Sequence, residues 1–231
     1  MAARAPLSRP SPSADRRSHA ERSRATRAHL IATTIDVLRS RSYHGATVFE
    51  VAKAAGLTHG ALQHHFGSKA ALMMAVTAEI LRSSDAAGVR WPSPQLPLAE
   101  RAEHFVQALW ERVYEPPRFL AAWSVYFGSA GEPEVRRAVA AQRAELAKAL
   151  RTRFAEVFPE LAATAGVDAL ADLVFSALRG MAIVRLFGAA PREHAAQMRA
   201  LAELIALRAP PPPALRPSSR RPSTQRNRSV R

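Results

Sequence analysis

Between residues 22 and 208, apolar side chains recur at intervals of three and four, the spacing of one face of a helix. Leu30, Ile31, Thr34, Ile35 and Leu38 mark such a face, and the pattern predicts a helix over Arg22–Arg41. A second helix is predicted from Thr47 to Ala55, a third from Thr58 to Phe66 and a fourth from Ser68 to Ser84. Thr47, Thr58 and Ser68 are good N-caps. Glu50 follows Thr47 at capping-box spacing. Beyond the prolines at 92–97, five more helices are predicted: Leu98–Tyr114, Pro117–Phe127, Pro133–Phe158, Val167–Phe187 and Glu193–Arg208. No segment alternates with the period of a strand, so the fold class is all-α.

The second and third helices are each about two turns long and are joined by Gly56-Leu57-Thr58. Two short helices around a tight glycine turn form a helix-turn-helix unit. Val48, Val51, Ala52, Ala55, Leu57, Leu62 and Phe66 supply its core. His59, Gly60, Ala61, Gln63 and His64 are left to face outward, and none is acidic. Gly60 and Ala61 allow a close approach to a base edge, Ala61 can touch a thymine methyl, and Gln63 can bond adenine through both amide atoms. The free N–H groups of the helices that Thr47 and Thr58 cap suit phosphate. Lys69 sits in the first turn of the fourth helix, where a cation opposes the helix dipole, so an outside anion is expected nearby. Residues 22–83 carry eight Lys and Arg against Asp36, Glu50 and Glu79.

The stretch from Thr47 to Leu72 resembles the DNA-binding domain of the TetR family of regulators. The resemblance rests on Thr47, the pair Val51-Ala52, the run Ala55-Gly56-Leu57-Thr58, then Gly60 and Leu62, His65-Phe66 and Ser68-Lys69. It implies that Thr47 and Lys69 contact phosphates and that His59, Gly60 and Ala61 face bases. Gln63 and His64 stand where the family usually has aromatic side chains against the DNA backbone; both can still donate to a phosphate. Ser42 replaces the usual glycine after the first helix, and Phe49 replaces a usual polar residue. The domains then read as a basic tail (1–21), a helix-turn-helix DNA-binding domain (22–67), a helical ligand-binding and dimerisation domain (68–208, with 68–84 as connecting helix) and a Pro/Arg-rich tail (209–231). The implied function is a transcriptional repressor that leaves a palindromic DNA operator when a small-molecule inducer binds.

Charge adds a second reading. The formal net charge is +14, concentrated at the ends. Residues 1–24 hold six Arg against Asp15 and Glu21, and residues 208–231 hold seven Arg and no acid, which leaves +3 between them. Both ends lack the large apolar residues needed to order a chain. Basic tails can bind DNA nonspecifically, so an architectural DNA-binding protein without an inducer is the alternative. Of the 33 basic residues 30 are Arg, as a GC-rich genome would also give. Cysteine is absent, which excludes a disulfide framework and a thiolate nucleophile. No apolar run is long enough to span a membrane and none reads as a secretion signal, so the expected location is cytoplasmic. The adjacent histidines 64 and 65 point to different helix faces, so no metal site and no cofactor are expected. With neither a phosphate loop nor a nucleophile elbow, no enzyme is expected.

The helices over 98–127 hold seven of the fifteen aromatic residues. They read as core, or with the family resemblance as an aromatic-lined cavity. The candidate ligand residues are His104, Trp110, Tyr114, Trp123, Tyr126 and Phe127, and the aromatic character points to an apolar ligand or a quaternary cation. The helix over 167–187 is apolar nearly all round, with Leu170, Leu173, Val174, Phe175, Leu178, Met181, Ile183, Val184 and Leu186. Such a helix must be covered twice. With Met198, Leu201, Leu204 and Ile205 on the last helix, it matches a homodimer interface built as a four-helix bundle.

Overall fold

The computed structural model describes residues 12–83, 90–162, 164–185 and 191–208, and among them every regular element is a helix. The order is α1 (Pro12–Gly45), α2 (Val48–Ala54), α3 (His59–Phe66), α4 (Lys69–Ser83), α5 (Leu98–Leu109), a π-helical turn (Trp110–Tyr114), α6 (Pro117–Gly128), α7 (Pro133–Val157), α8 (Pro159–Ala162), α9 (Val167–Val184) and α10 (Pro191–Leu207). No helix among the described residues is long and apolar enough to cross a membrane.

Boundaries follow the predicted ones except at three places. Helix α1 begins at Pro12 rather than Arg22. The segment expected to be a tail through residue 21 therefore joins the helix from Pro12 on. It has no helix breaker after that proline, and Ala, Arg and Glu sustain a solvated helix by propensity alone. The predicted helix over 98–114 closes in a π turn, in which the Glu115 amide reaches back to the Trp110 carbonyl. The stretch after Pro159, read as a break, holds the short α8, tied down by buried Leu161 and by Glu160. Glu160 pairs with Arg101, a guanidinium almost wholly buried on α5. Ser84, Leu186, Phe187 and residues 209–231 lie outside the described residues, as do residues 1–11 of the N-terminal tail.

Two hydrophobic cores result. One gathers Leu30, Leu38, Val51, Leu62, Phe66 and Leu72, and continues into Ala121 and Val125 of α6 and Val135 and Val139 of α7. The other joins α5, the π turn, the second half of α7, α9 and α10 around Phe105, Phe154, Phe158 and Leu178. Three rings at its centre meet Phe105 edge-on or tilted, with centroids 5.2–5.5 Å away: Trp91, Phe154 and Phe158. Helix α10 packs along α5 with Ile205 and Ala202 fully inside.

Inside α1 one residue leaves helical geometry. Ser42 has φ 60° and ψ −177°, a region that is essentially glycine's own. The residue that departs from the family pattern thus sits where a side chain is strained. A non-glycine residue so held costs about 1–3 kcal/mol, against about 0.5–1 kcal/mol of extra chain entropy lost by glycine. Ser42→Gly should therefore raise the thermal unfolding midpoint. An unchanged or lowered midpoint by calorimetry would refute the strain.

Candidate nucleic-acid interface and ligand cavity

The reading head is built on α1. The Arg27 guanidinium donates to the His65 carbonyl at 3.0 Å and lies over the Phe66 ring at 4.2 Å. The His29 ring nitrogen bonds the Ala55 carbonyl at 3.0 Å. Arg27 and His29 thus occupy orphan carbonyls at the C-terminal ends of α3 and α2, where helix dipoles favour positive charge. Arg41 pairs with Glu50 at 2.7 Å. Sequence reading placed none of the three, because each partner lies across the fold; a cation spaced along the exposed side of α1 was the available signal.

The predicted caps are present. The Thr47 hydroxyl accepts from the Glu50 amide at 3.2 Å and the Thr58 hydroxyl from the Ala61 amide at 3.1 Å. The capping box is only half made, because the Glu50 carboxylate turns to Arg41 and the Thr47 amide bonds Gly45 instead. Gly56, with φ 67°, ends α2 in the left-handed conformation expected of it. On α3, Leu62 and Phe66 are buried, while His59, Gly60, Gln63 and His64 are exposed and Ala61 is half-exposed. Positions 59, 60, 63 and 64 form one continuous helix face. It carries no acid. A side chain at Gly60 would meet nothing but the Thr58 hydroxyl. The Gln63 amide folds back onto the Gly67 carbonyl. His64 and His65 meet edge to face at 5.6 Å. Phe49 on α2 is 63% exposed, and nothing in the structure explains it.

Lys69 is engaged inside the protein, by a carbonyl and a ring. Its ammonium donates to the Tyr43 carbonyl at 2.9 Å and lies 4.1 Å from the Tyr43 ring centre. Burial lowers its pKa, and Glu132 opposes that shift. The Tyr43 hydroxyl donates to Glu132 at 2.5 Å, and burial, then the Glu132 bond and charge, raises its pKa. The Tyr43 side chain thus joins the end of α1, the start of α4 and the α6–α7 turn.

A cavity of about 300 Å³ lies between α4, the π turn, α6, α7 and α9. Of the predicted ligand residues, Tyr114, Trp123 and Tyr126 line it, and His104, Trp110 and Phe127 do not. His104 is exposed on the outer face of α5. Trp110 is turned by the π register toward α10, where its ring meets buried His194 at 5.1 Å. Phe127 is 61% exposed, one position past the inward face that Trp123 and Tyr126 share. Among the lining groups that sequence reading missed are Thr77 and Ile80 of α4, Arg143 and Arg151 of α7 and Asp172 and Arg179 of α9. They escaped because the aromatic cluster drew attention to α5 and α6 alone.

On α9, Leu170, Val174, Phe175, Leu178 and Met181 are buried, whereas Leu173 and Val184 are 54% and 48% exposed. With half-exposed Ala177 and open Gly180 they form an uncovered stripe at helical spacing.

Residues 30–76 match the profile of the family described as bacterial regulatory proteins, tetR family. The HTH-type transcriptional regulator CymR of Pseudomonas putida is 43% identical over 60 residues, which is 26% of this chain and 30% of that protein. The match thus spans under a third of that relative's length. A transcriptional regulator from Rhodococcus superposes with a TM-score of 0.63 at 21% identity, over 79% of this chain and 97% of that one. A TetR transcriptional regulator from Chloroflexus aurantiacus does so with a TM-score of 0.63 at 20% identity, over 82% and 98%. Both share the fold of this chain.

A methyl group added at Gly128 would overlap the Tyr43 Cβ, so α1 and α6 meet with no room to spare. Gly128→Ala should destabilise the protein by about 1–3 kcal/mol, the usual cost of overpacking. Urea unfolding followed by helical circular dichroism checks this, and an unchanged midpoint would show that the contact yields freely.

Proposed function

We propose, for a chain that belongs to the TetR family of bacterial regulatory proteins, that it is a homodimeric DNA-binding transcriptional repressor released from a palindromic operator by a small molecule. The observation that carries this reading is one helix, α4. It starts at Lys69 beside the helix-turn-helix, and it lines the cavity with Thr77 and Ile80. A ligand in the cavity therefore touches the helix that carries the reading head.

The acid-free face of α3 enters the major groove, with His59, Gly60 and Ala61 against base edges. Gln63 exchanges its bond to the Gly67 carbonyl for a base or phosphate, and His64 donates to the backbone. The N-terminal ends of the helices capped by Thr47 and Thr58 meet phosphates. Lys69 adds positive charge near the DNA, while its direct bond to Tyr43 fixes the start of α4. Helices α9 and α10 of two copies form the four-helix interface, which covers the stripe of Leu173, Ala177, Gly180 and Val184. The two-fold axis then sets the recognition helices about 34 Å apart, one DNA turn. Ligand and DNA favour different spacings of the heads and so oppose each other. The chain acts by binding and not by catalysis, and works in the cytoplasm.

Anisotropy titrations of DNA from upstream of its own gene, against scrambled DNA, test the reading head. Gln63→Ala should narrow the preference for the specific sequence by about 1–3 kcal/mol, the worth of one bidentate base contact. Lys69→Ala should weaken both DNAs alike. Equal loss of preference in the two variants would overturn these roles. A preference that vanishes on deleting both tails would favour architectural binding.

The dimer is tested separately. Leu173→Glu buries a charge in the proposed interface and should shift the protein toward monomer in light scattering at micromolar concentration. A variant that stays dimeric would place the interface elsewhere.

A further inference from the structure

We propose that the cavity takes an organic acid: a compact aromatic or alicyclic hydrocarbon carrying one carboxylate. This rests on the reading of the cavity as the ligand site and assigns the chemical class of its occupant.

The aromatic wall gives one half of the argument. Trp123, Tyr126, Phe119 and Phe175 surround the space. At about 300 Å³, it is roughly twice the cavity of about 150 Å³ that admits benzene, so one or two rings fit. An aromatic wall alone would suit a neutral hydrocarbon or a quaternary cation.

The charges decide between these. Three guanidiniums border the cavity, those of Arg143, Arg151 and Arg179, against a single carboxylate, Asp172. That carboxylate is already taken, since Arg151 holds it at 2.9 and 3.2 Å. Among the described residues Arg179 bonds only the neutral Ser176 hydroxyl, at 2.7 Å. Arg143 forms no ion pair among the described residues. Two positive charges thus border an apolar space without a counter-ion of their own, and the field repels a cationic ligand. Of the two ligand classes that the aromatic cluster suits, something apolar or a quaternary cation, the apolar body is kept and the cation set aside.

A third group points the same way. Tyr114 lies in the interior, and its hydroxyl makes no hydrogen bond among the described residues. Burial raises its pKa, while the charges of Arg179 and Arg143 pull it down. A hydroxyl that stays protonated can donate to a carboxylate but cannot repel one. Arg179 from α9, Arg143 from α7 and Tyr114 from the π turn so supply donors from three elements to one anion, with the hydrocarbon against Trp123 and Tyr126. Arg143 can reach a carboxylate through two parallel N–H groups.

The test uses three ligands of one shape and different charge: 2-naphthoate, 2-naphthamide and 2-naphthylmethylammonium. Each is titrated into the full-length protein, with Trp fluorescence and calorimetry as readouts. Naphthoate should bind about tenfold or more tighter than the amide, the margin of a charge-assisted hydrogen bond, and the ammonium weakest. Arg179→Gln and Arg143→Gln should each bring the acid-to-amide ratio toward one. Arg199→Gln, on an exposed part of α10 away from the cavity, should leave that ratio as it was. Amide or ammonium binding as tightly as the acid, or a ratio unmoved in both cavity variants, overturns the charge class and leaves the cavity as a ligand site. No binding of any of the three at millimolar concentration overturns the ligand site itself, and the proposal with it.

Discussion

The Tyr43 side chain is the constraint on which the two halves of the protein depend. Its Cβ and ring lie against Gly128, where α1 and α6 approach until no added methyl would fit. Its hydroxyl is held by Glu132 from the α6–α7 turn, and its carbonyl and ring hold Lys69 at the start of α4. These are interactions of different kinds at one residue, each partly buried, so none can be lost without leaving a polar group short of a partner. The strain at Ser42, one position before, belongs to the same arrangement: the chain bends there so that Tyr43 turns inward. A family pattern that usually places glycine at this bend has a physical basis in that φ of 60°.

Helix α4 joins this junction to the cavity. Its first turn is fixed by Lys69 and its last turns carry Thr77 and Ile80 on the cavity wall. Thr77 is buried with its hydroxyl on the Met73 and Met74 carbonyls, so the helix meets the cavity with its polar group satisfied. The Gln142 amide from α7 reaches the Met74 carbonyl at 3.4 Å and ties the middle of α4 to the wall opposite. A shift of α7 or α6 against α4 is therefore passed along a rigid element. A coupling of about 1–3 kcal/mol between the two sites is within what such an element can carry.

Much of this was legible in the sequence because it is local. The caps at Thr47 and Thr58, the left-handed Gly56, the buried faces of α2 and α3 and the acid-free face of α3 each depend on neighbours within a turn or two. Several of the misses are long-range. The Lys69 anomaly reads as the mark of an outside anion; the internal neighbours Tyr43 and Glu132 are 26 and 63 positions away and no periodicity connects them. Trp110 reads as a cavity residue because it belongs to the aromatic cluster over 98–127; the π turn there departs from the ideal helix that the sequence pattern predicts, a local miss. The arginines of the cavity were invisible for the opposite reason. Among 33 Lys and Arg, three on helix surfaces carry no signal until the fold sets them around one apolar space.

The two cores also divide the chain differently from the sequence. A boundary after residue 67 separates the helix-turn-helix from everything else, but the head's own core runs on through α4 into Ala121, Val125, Val135 and Val139. The remaining helices form the second core. The cavity lies on the seam: Val139 belongs to the first core, and Val113, Tyr114, Leu150 and Phe175 to the second. A gap at a seam forfeits contacts on both sides, which makes it the place where two rigid bodies shift most cheaply. In the mechanism proposed above, a ligand filling the gap would set the angle between them by its own shape, and its effect on the head would be a rotation of a packed body rather than a distortion of α2 and α3. A reading head as small as α1–α3 would then stay intact while the spacing between two copies changed, and in that proposal spacing is what the operator measures.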